Sequence, residues 1–358
     1  RRGGLPCSRI CSATWTAVRR QRRERWRDVV MSAYWSTGVD LPNLQQPALA
    51  RLTDFVTPLE HVFFLRHMAM PEIDRASWRL AIGGLVEHEL SLSLADLEAM
   101  PQTEICAVHE CAGHPLHPTV PVRRVANVVW RGVRLSEVLK RACVAPDARF
   151  VWSYGADKGD YHGVDIPAYV KDMPVSELHG EAMLATHMNS EPLSDKHGGP
   201  VRLVVPGFYG TNSTKWLVRL ALSDTRSPGY FTTVMYNDRV VKDGLEQLSP
   251  VWRVAPHAVM VQPAEQARLP PGKQKIVGWA WGADAITRVE VSTDAGASWA
   301  DAQLDARKDH AWQRFEFEWT PPSLGTYQLR CRAFDSTGLG QPEHGVRNAV
   351  FSISVTVE

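Results

Sequence analysis

The sequence has no apolar run approaching the roughly 20 residues that a membrane-spanning helix requires, so no such span is expected. It has almost no net charge: 40 Lys and Arg face 39 Asp and Glu, giving +1. A near-neutral chain is a poor candidate for non-specific nucleic-acid binding. Six cysteines in 358 residues are too sparse for a disulfide framework, and no CxxCH stretch offers covalent haem attachment. Reduced thiols in a cytoplasm-like compartment are the expectation. Neither a Walker motif nor GxGxxG occurs, so a nucleotide is not indicated. Internal repeats and low-complexity tracts are also missing.

What is present is the composition of a globular protein, with 44% hydrophobic and 22% charged residues, and a length that favours two domains. The charge is unevenly placed. Residues 1–28 carry nine Arg against Glu24 and Asp28, while the remainder holds 31 basic and 37 acidic residues. No apolar stretch follows the Arg pairs, which argues against a secretory or twin-arginine signal. Residues 1–54 read as a basic, disordered arm and lead-in.

An α+β reading covers residues 55–235. Strand-like runs fall at Val62–Leu65, Trp78–Ile82, Glu104–Val108, Phe150–Tyr154 and Val201–Val205, irregularly spaced and without strict βαβ alternation. Short helices are expected at Ser93–Met100 and Ser136–Cys143, each opened by a capping Ser. Residues 236–358 read as a second domain. Its stretch 248–275 is rich in Pro and Gln and looks like a crossing linker. Beyond it, Gln313–Trp319 puts Phe315, Phe317 and Trp319 on one face and Arg314, Glu316 and Glu318 on the other. Thr326–Phe334 and Asn348–Val357 alternate in the same way. Short alternating strands at this spacing predict an immunoglobulin-like β-sandwich, without its disulfide because only Cys331 lies there.

Two clusters can carry chemistry. The first is Cys106-Ala-Val-His109-Glu110-Cys111-Ala-Gly113-His114-Pro115-Leu116-His117. It admits a zinc site, although Cys-x4-Cys lacks the paired spacing of structural zinc sites. It also admits a His-activated nucleophilic Cys, or one thiolate bound to a metal whose other ligands are not protein. Cys106 reads as a buried strand residue. Cys111, beside Ala112 and Gly113, sits in a tight turn with room for a bulky group. The second cluster runs from His197 through Arg202 and Ser213 to Lys215, placing cations around one apolar strand between Gly-rich loops that suit an anion.

Together these clusters resemble the sulfite oxidase family of molybdopterin enzymes, which includes the molybdenum domain of assimilatory nitrate reductases. The motifs carrying the resemblance are Cys111-Ala-Gly113, Trp130-Arg-Gly-Val-Arg-Leu135, Asp157 in Tyr-Gly-Ala-Asp, Phe63-Phe64-Leu65-Arg66-His67, and His197 to Lys215. In the second domain they are Gly278-Trp-Ala-Trp281, Val289–Asp294 and Ala295–Trp299. The resemblance implies a molybdenum–molybdopterin cofactor with Cys111 as the protein ligand to the metal. Arg66, Tyr236 and Trp130 would then form the catalytic pocket. Phe64, Leu65, Arg66, His67, Asp157, His197, Arg202, Ser213, Thr214 and Lys215 would bind the cofactor, with His67 or Met68 in the usual His position. The implied reaction is oxygen-atom transfer, first of all sulfite to sulfate, with sulfane-sulfur oxidation or nitrate or S-oxide reduction as alternatives. A non-catalytic binding module would follow if no molybdenum were bound. Electrons would pass to a separate acceptor such as a cytochrome. The second domain would form a homodimer, with its tryptophans as candidate anchors. The sequence departs from the family where Asn-Arg-Arg commonly follows Cys-Ala-Gly: here stand His114, Pro115 and Leu116. Arg123 or Arg124 is the candidate replacement for the lost clamp.

Overall fold

The computed structural model describes residues 44–114, 123–178, 180–343 and 347–358. The expectations for residues 1–43, and for Pro115, Leu116 and His117, lie outside them. Among the described residues no helix is long and apolar enough to cross a membrane.

The first half is built on two sheets. One has five strands in the order Val170–Pro174, Phe150–Gly155, Leu217–Ser223, Arg79–Gly84 and Leu90–Ser93. Leu217–Ser223 and Arg79–Gly84 run parallel, and the other neighbours run antiparallel. The second sheet is antiparallel, in the order Glu191–Pro192, Met183–Met188, Val125–Arg134 and Gln102–Glu110, with Arg202–Val204 paired to Met183–Met188. Val201–Val205 shortens to Arg202–Val204 because prolines 200 and 206 withhold the N–H groups a longer ladder needs.

Helix is scarcer than the α+β reading implies: among the described residues the α-helices are Leu94–Glu98, Leu135–Ala142 and Tyr230–Thr233. Ser93 caps the first in a capping box with Asp96. The second corrects an expectation. Its N-cap is Arg134, without a side-chain cap, and Ser136 lies inside the helix. Strand Val125–Arg134 runs directly into it, so no loop residue is left to cap. Leu135, Val138 and Ala142 give it one buried face.

The second half is two facing sheets. Four strands run His257–Gln262, Gln274–Trp281, Gln313–Trp319, Gln303–Leu304. Five run Ala267–Leu269, Phe351–Val357, Gly325–Asp335, Ile286–Ser292, Ala300–Asp301. Ile276, Phe315, Val289, Leu329, Cys331 and Ile353 fill the space between them. The presumed linker 248–275 is corrected here, since it contains His257–Gln262, whose first five residues are buried in the four-stranded sheet. Flanking prolines masked that apolar run. The tryptophan expectation is corrected in part: Trp279, Trp281, Trp312 and Trp319 are buried in the chain's own core, so these four are not interface anchors, while Trp252 and Trp299 are partly exposed. Trp279 and Trp312 stack at 4.7 Å and donate their indole N–H groups to Leu52 O and Phe55 O. The lead-in is therefore not loose: Leu49 and Leu52 are buried against the sandwich.

Candidate active site

Strand Gln102–Glu110 carries its alternating side chains to the point where the chain turns at Cys111. Cys106 stays within the strand, its Sγ accepting from Asn127 Nδ2 at 3.4 Å, and burial pushes its thiol up. Cys111 is 8% exposed, and the Gly113 N–H donates to its Sγ at 3.4 Å. The turn is held from two sides. Arg124 donates to Gly113 O at 2.8 Å, while Arg347, from the sandwich, donates through Nε to Ala112 O and through its terminal nitrogens to Asp238.

Cys111 opens onto a cleft of about 730 Å³, counting its mouth. Arg66, Trp130 and Tyr236 line it, as do Phe64, Leu65, His67, Asp157, His197, Arg202, Ser213, Thr214 and Lys215. The structure thus gathers residues 64–67, 111, 130, 157, 197, 202, 213–215 and 236 into one space. His67, not Met68, faces the cleft, and its Nε2 hydrogen-bonds the Tyr236 hydroxyl. Burial, then Lys215 and His162, holds His67 neutral with a pKa of about 3.

Positive charge dominates this space. Arg66, Lys196, Arg202 and Lys215 line it against one carboxylate, Asp157. Arg202 is 3% exposed, donates to His197 O at 3.1 Å and Ser213 O at 2.9 Å, and lies 5.0 Å from the Trp130 ring centre. Burial lowers its pKa to about 9. Its Nε has no partner among the described residues. Burial and then Arg202 lower Lys215; burial raises Asp157, and each of that pair partly offsets the other's shift. Lys215 Nζ donates to Leu65 O at 2.8 Å. Gly198, at φ 99°, lets the chain pass over it, since a Cβ there would come within 2.7 Å of Lys215 Cβ. Ser213 and Thr214 are bound into the frame: Ser213 Oγ accepts from Val205 N, and Thr214 Oγ1 pairs with Ser153 Oγ.

A concave site with four cations, one acid and an unmet buried guanidinium N–H fits a polyanionic ligand. A thiol at its floor offers a soft donor to a metal. These residues therefore suit a phosphate-bearing, metal-carrying cofactor.

Neither arginine proposed to replace the clamp lines the cleft. Arg123 is buried over the Phe351 ring at 4.7 Å, and Arg124 holds Gly113 O. His114 is turned away as well, its Nδ1 accepting from Arg124 N at 2.9 Å.

Two family models match the chain: "oxidoreductase molybdopterin binding domain" over residues 67–231 and "Mo-co oxidoreductase dimerisation domain" over residues 249–355. Sulfite oxidase of Gallus gallus is 32% identical over 330 residues, covering 84% of this chain and 71% of that protein. The chain belongs to the sulfite oxidase family of molybdopterin oxidoreductases. Mitochondrial sulfite oxidase of Mus musculus is 30% identical over 84% of this chain, which spans 60% of that protein's length. Nitrate reductase [NAD(P)H] of Hordeum vulgare is 28% identical over 86% of this chain and 39% of that protein. Among solved structures, the sulfane dehydrogenase SoxCD of Paracoccus pantotrophus superposes with a TM-score of 0.76 at 28% identity, covering 89% of this chain and 85% of that one. This chain is thus a molybdenum-dependent oxidoreductase of the sulfite oxidase family, with a molybdopterin-binding domain and a dimerisation domain.

Sequence reasoning missed several residues of the cleft. His109 stacks on Phe63 at 5.2 Å, meets Trp130 edge-on and sits 3.3 Å from Arg202. Its place two residues before Cys111, on a strand whose end faces the cleft, was the available signal. Tyr169 carried no motif; Lys196, Thr211 and Trp216 lie in or beside the His197–Lys215 cluster but were not named as site residues. Tyr169 enters by donating to Thr211 O at 2.7 Å.

Proposed function

We propose that this chain oxidises sulfite to sulfate at a molybdenum–molybdopterin cofactor and passes the electrons to a separate acceptor such as a cytochrome. The observation that carries this reading is the convergence of Cys111 with four cations and Tyr236 on one cleft. Cys111 would be the protein ligand to molybdenum, and the Gly113 N–H would support its thiolate. His197, Arg202 and Lys215 would hold the cofactor's phosphate. Bound molybdenum supplies the two-electron oxygen transfer, chemistry that belongs to the cofactor. The chain contributes placement and field. Arg66 offers a positive charge at the cleft wall to an oxyanion. Tyr236 offers a hydroxyl oriented by His67. Trp130, 1% exposed, walls the pocket against water.

The two facing sheets support an immunoglobulin-like sandwich, and the dimerisation-domain match supports a homodimer through it. A second reading, oxidation of a sulfane sulfur, is favoured by the likeness to the sulfane dehydrogenase and by the absence of Arg123 and Arg124 from the cleft lining. Elemental analysis of purified protein, followed by sulfite and thiosulfate turnover with ferricyanide as acceptor, separates the readings. Loaded molybdenum without sulfite turnover would overturn the first.

A further inference from the structure

The side chain before Cys111 points away from the cleft, into the seam with the sandwich. There Glu110, His114 and His257 meet, at 0%, 2% and 0% exposure. They come from three places: the end of strand Gln102–Glu110, the turn after Cys111, and the first residue of strand His257–Gln262. Their ligand atoms all lie within 4.8 Å of one another. Glu110 Oε2 accepts from Trp281 Nε1 at 2.8 Å, and His114 Nδ1 is taken by the Arg124 N–H. That leaves Glu110 Oε1, His114 Nε2 and both ring nitrogens of His257 without a partner among the described residues. Glu110 Oε1 and His257 Nδ1 stand 3.9 Å apart, too far for a hydrogen bond.

Buried polar atoms are almost always satisfied, and leaving one unmet costs about 1–3 kcal/mol. Three unmet atoms, one from each residue and all within 4.8 Å of one another, indicate an occupant. Two imidazoles and a carboxylate form a nitrogen–oxygen donor set that suits zinc and its neighbours and does not suit calcium or magnesium, which take oxygen alone. A tetrahedral zinc with bonds of about 2.0–2.2 Å needs donors about 3.4 Å apart, a modest inward rotamer adjustment from the separations here. Arg123, Arg124 and Arg347 lie close enough to oppose a cation, and burial raises the Glu110 carboxyl, so an ion bound here would displace its proton and be offset by the carboxylate it frees.

We propose that Glu110, His114 and His257 bind one divalent transition-metal ion, zinc by preference, as a structural bolt between the two domains. It would be separate from the cleft, on the opposite side of the backbone from the Cys111 thiol. Two of its ligands flank Cys111 in sequence, so it would brace the turn that presents that thiol.

The test uses untagged holoenzyme treated with a chelator under conditions that retain molybdenum, then titrated with Zn²⁺ or Co²⁺ alone. An exposed trio of Glu87, His88 and Cys143 is a possible competitor, so the background carries Cys143→Ser. Expected are one zinc per chain and a melting-temperature gain of about 5 °C at saturation. Both should be lost, with affinity down at least about tenfold, in Glu110→Gln and in His257→Gln. The first keeps the acceptor for Trp281, and the second lies on another strand, so one misfolded variant leaves the other informative. Co²⁺ bound to the Cys143→Ser background with Glu110, His114 and His257 all intact, a measurement free of changes at the proposed ligands, should give visible d–d bands without a thiolate charge-transfer band. Any of three results overturns the proposal: zinc below one-tenth equivalent with no thermal gain, a thermal gain unchanged in both variants, or a thiolate band.

Discussion

Replacing Arg202 with methionine separates cofactor capture from the chemical step. Methionine is unbranched and apolar and reaches about as far as the arginine Nε, so the aliphatic packing is kept while the guanidinium, with its contact to Trp130, is lost. In cofactor-free protein two effects oppose each other. His197 O and Ser213 O lose their donors, at about 1–3 kcal/mol each. A buried cation surrounded by Lys215 and Lys196 is removed, which relieves a penalty of several kcal/mol by order of magnitude. The two nearly cancel, so the cofactor-free variant should melt within a few degrees of the original. With cofactor present, a charge-assisted contact to phosphate worth about 1.5–3 kcal/mol disappears. At about 1.4 kcal/mol per factor of ten, affinity should fall roughly 10- to 150-fold. Purified Arg202→Met from cells grown on limiting molybdate should therefore carry little molybdenum and pterin, with turnover per bound molybdenum little changed. Full occupancy would refute the phosphate assignment. A collapse in the melting temperature of the cofactor-free variant would show that Arg202 is a brace for its loops instead.

Cys111→Ser should abolish oxygen-atom transfer while retaining pterin, because the phosphate contacts are untouched; full activity by ferricyanide assay would move the ligand role elsewhere. Gly198→Ala forces a Cβ onto Lys215 at a positive φ and should destabilise by about 2–4 kcal/mol in urea titration, with loss of cofactor. Lys171 is wholly buried, donates to Phe231 O at 3.2 Å, and has its pKa lowered from 10.5 to about 8, chiefly by burial. A lysine depressed on folding costs stability wherever it is charged in both states, so the penalty is complete below pH 8 and vanishes as pH rises toward 10.5. Lys171→Met should accordingly be more stable by on the order of 2 kcal/mol at pH 7, with the gap closing above pH 8 in parallel melts. If sulfite is the substrate, its Michaelis constant should rise with ionic strength as the charge of Arg66 is screened; a low, salt-insensitive value would place other cations in the pocket.

Elements whose pattern is purely local were legible in the sequence. Gln313–Trp319 alternates because one face meets the core, and Ser93 caps its helix because an acid follows three residues later. Elements fixed by tertiary neighbours were not. His257–Gln262 is hidden by flanking prolines, and Arg134 opens its helix only because a sheet delivers the chain there. The cleft residues named from motifs converge in space, since a loop with Cys111 and a cation cluster are local signatures. Tyr169 arrives from another part of the chain, and nothing in its neighbours marks it, whereas Lys196 shares the turn Asp195–His197 with a named residue. The fate of Arg123 was equally illegible: adjacent arginines look alike in sequence, yet one lies over Phe351 and the other ties the Cys111 turn.

Arg347 reaches from the last third of the chain to Ala112 O, beside the reactive thiol. A fragment ending near residue 235 would keep every cleft side chain except Tyr236 but lose that tether, along with the indole donors that hold Leu52 and Phe55. The sandwich is therefore a poor candidate for exchange with a foreign module, whatever its fold. Chimaeras that swap it should inherit a misplaced thiol, and the two halves are constrained to diverge as a pair. A substitution in the sandwich at Arg347 can thus register as a defect in catalysis, far along the chain from any residue that touches substrate.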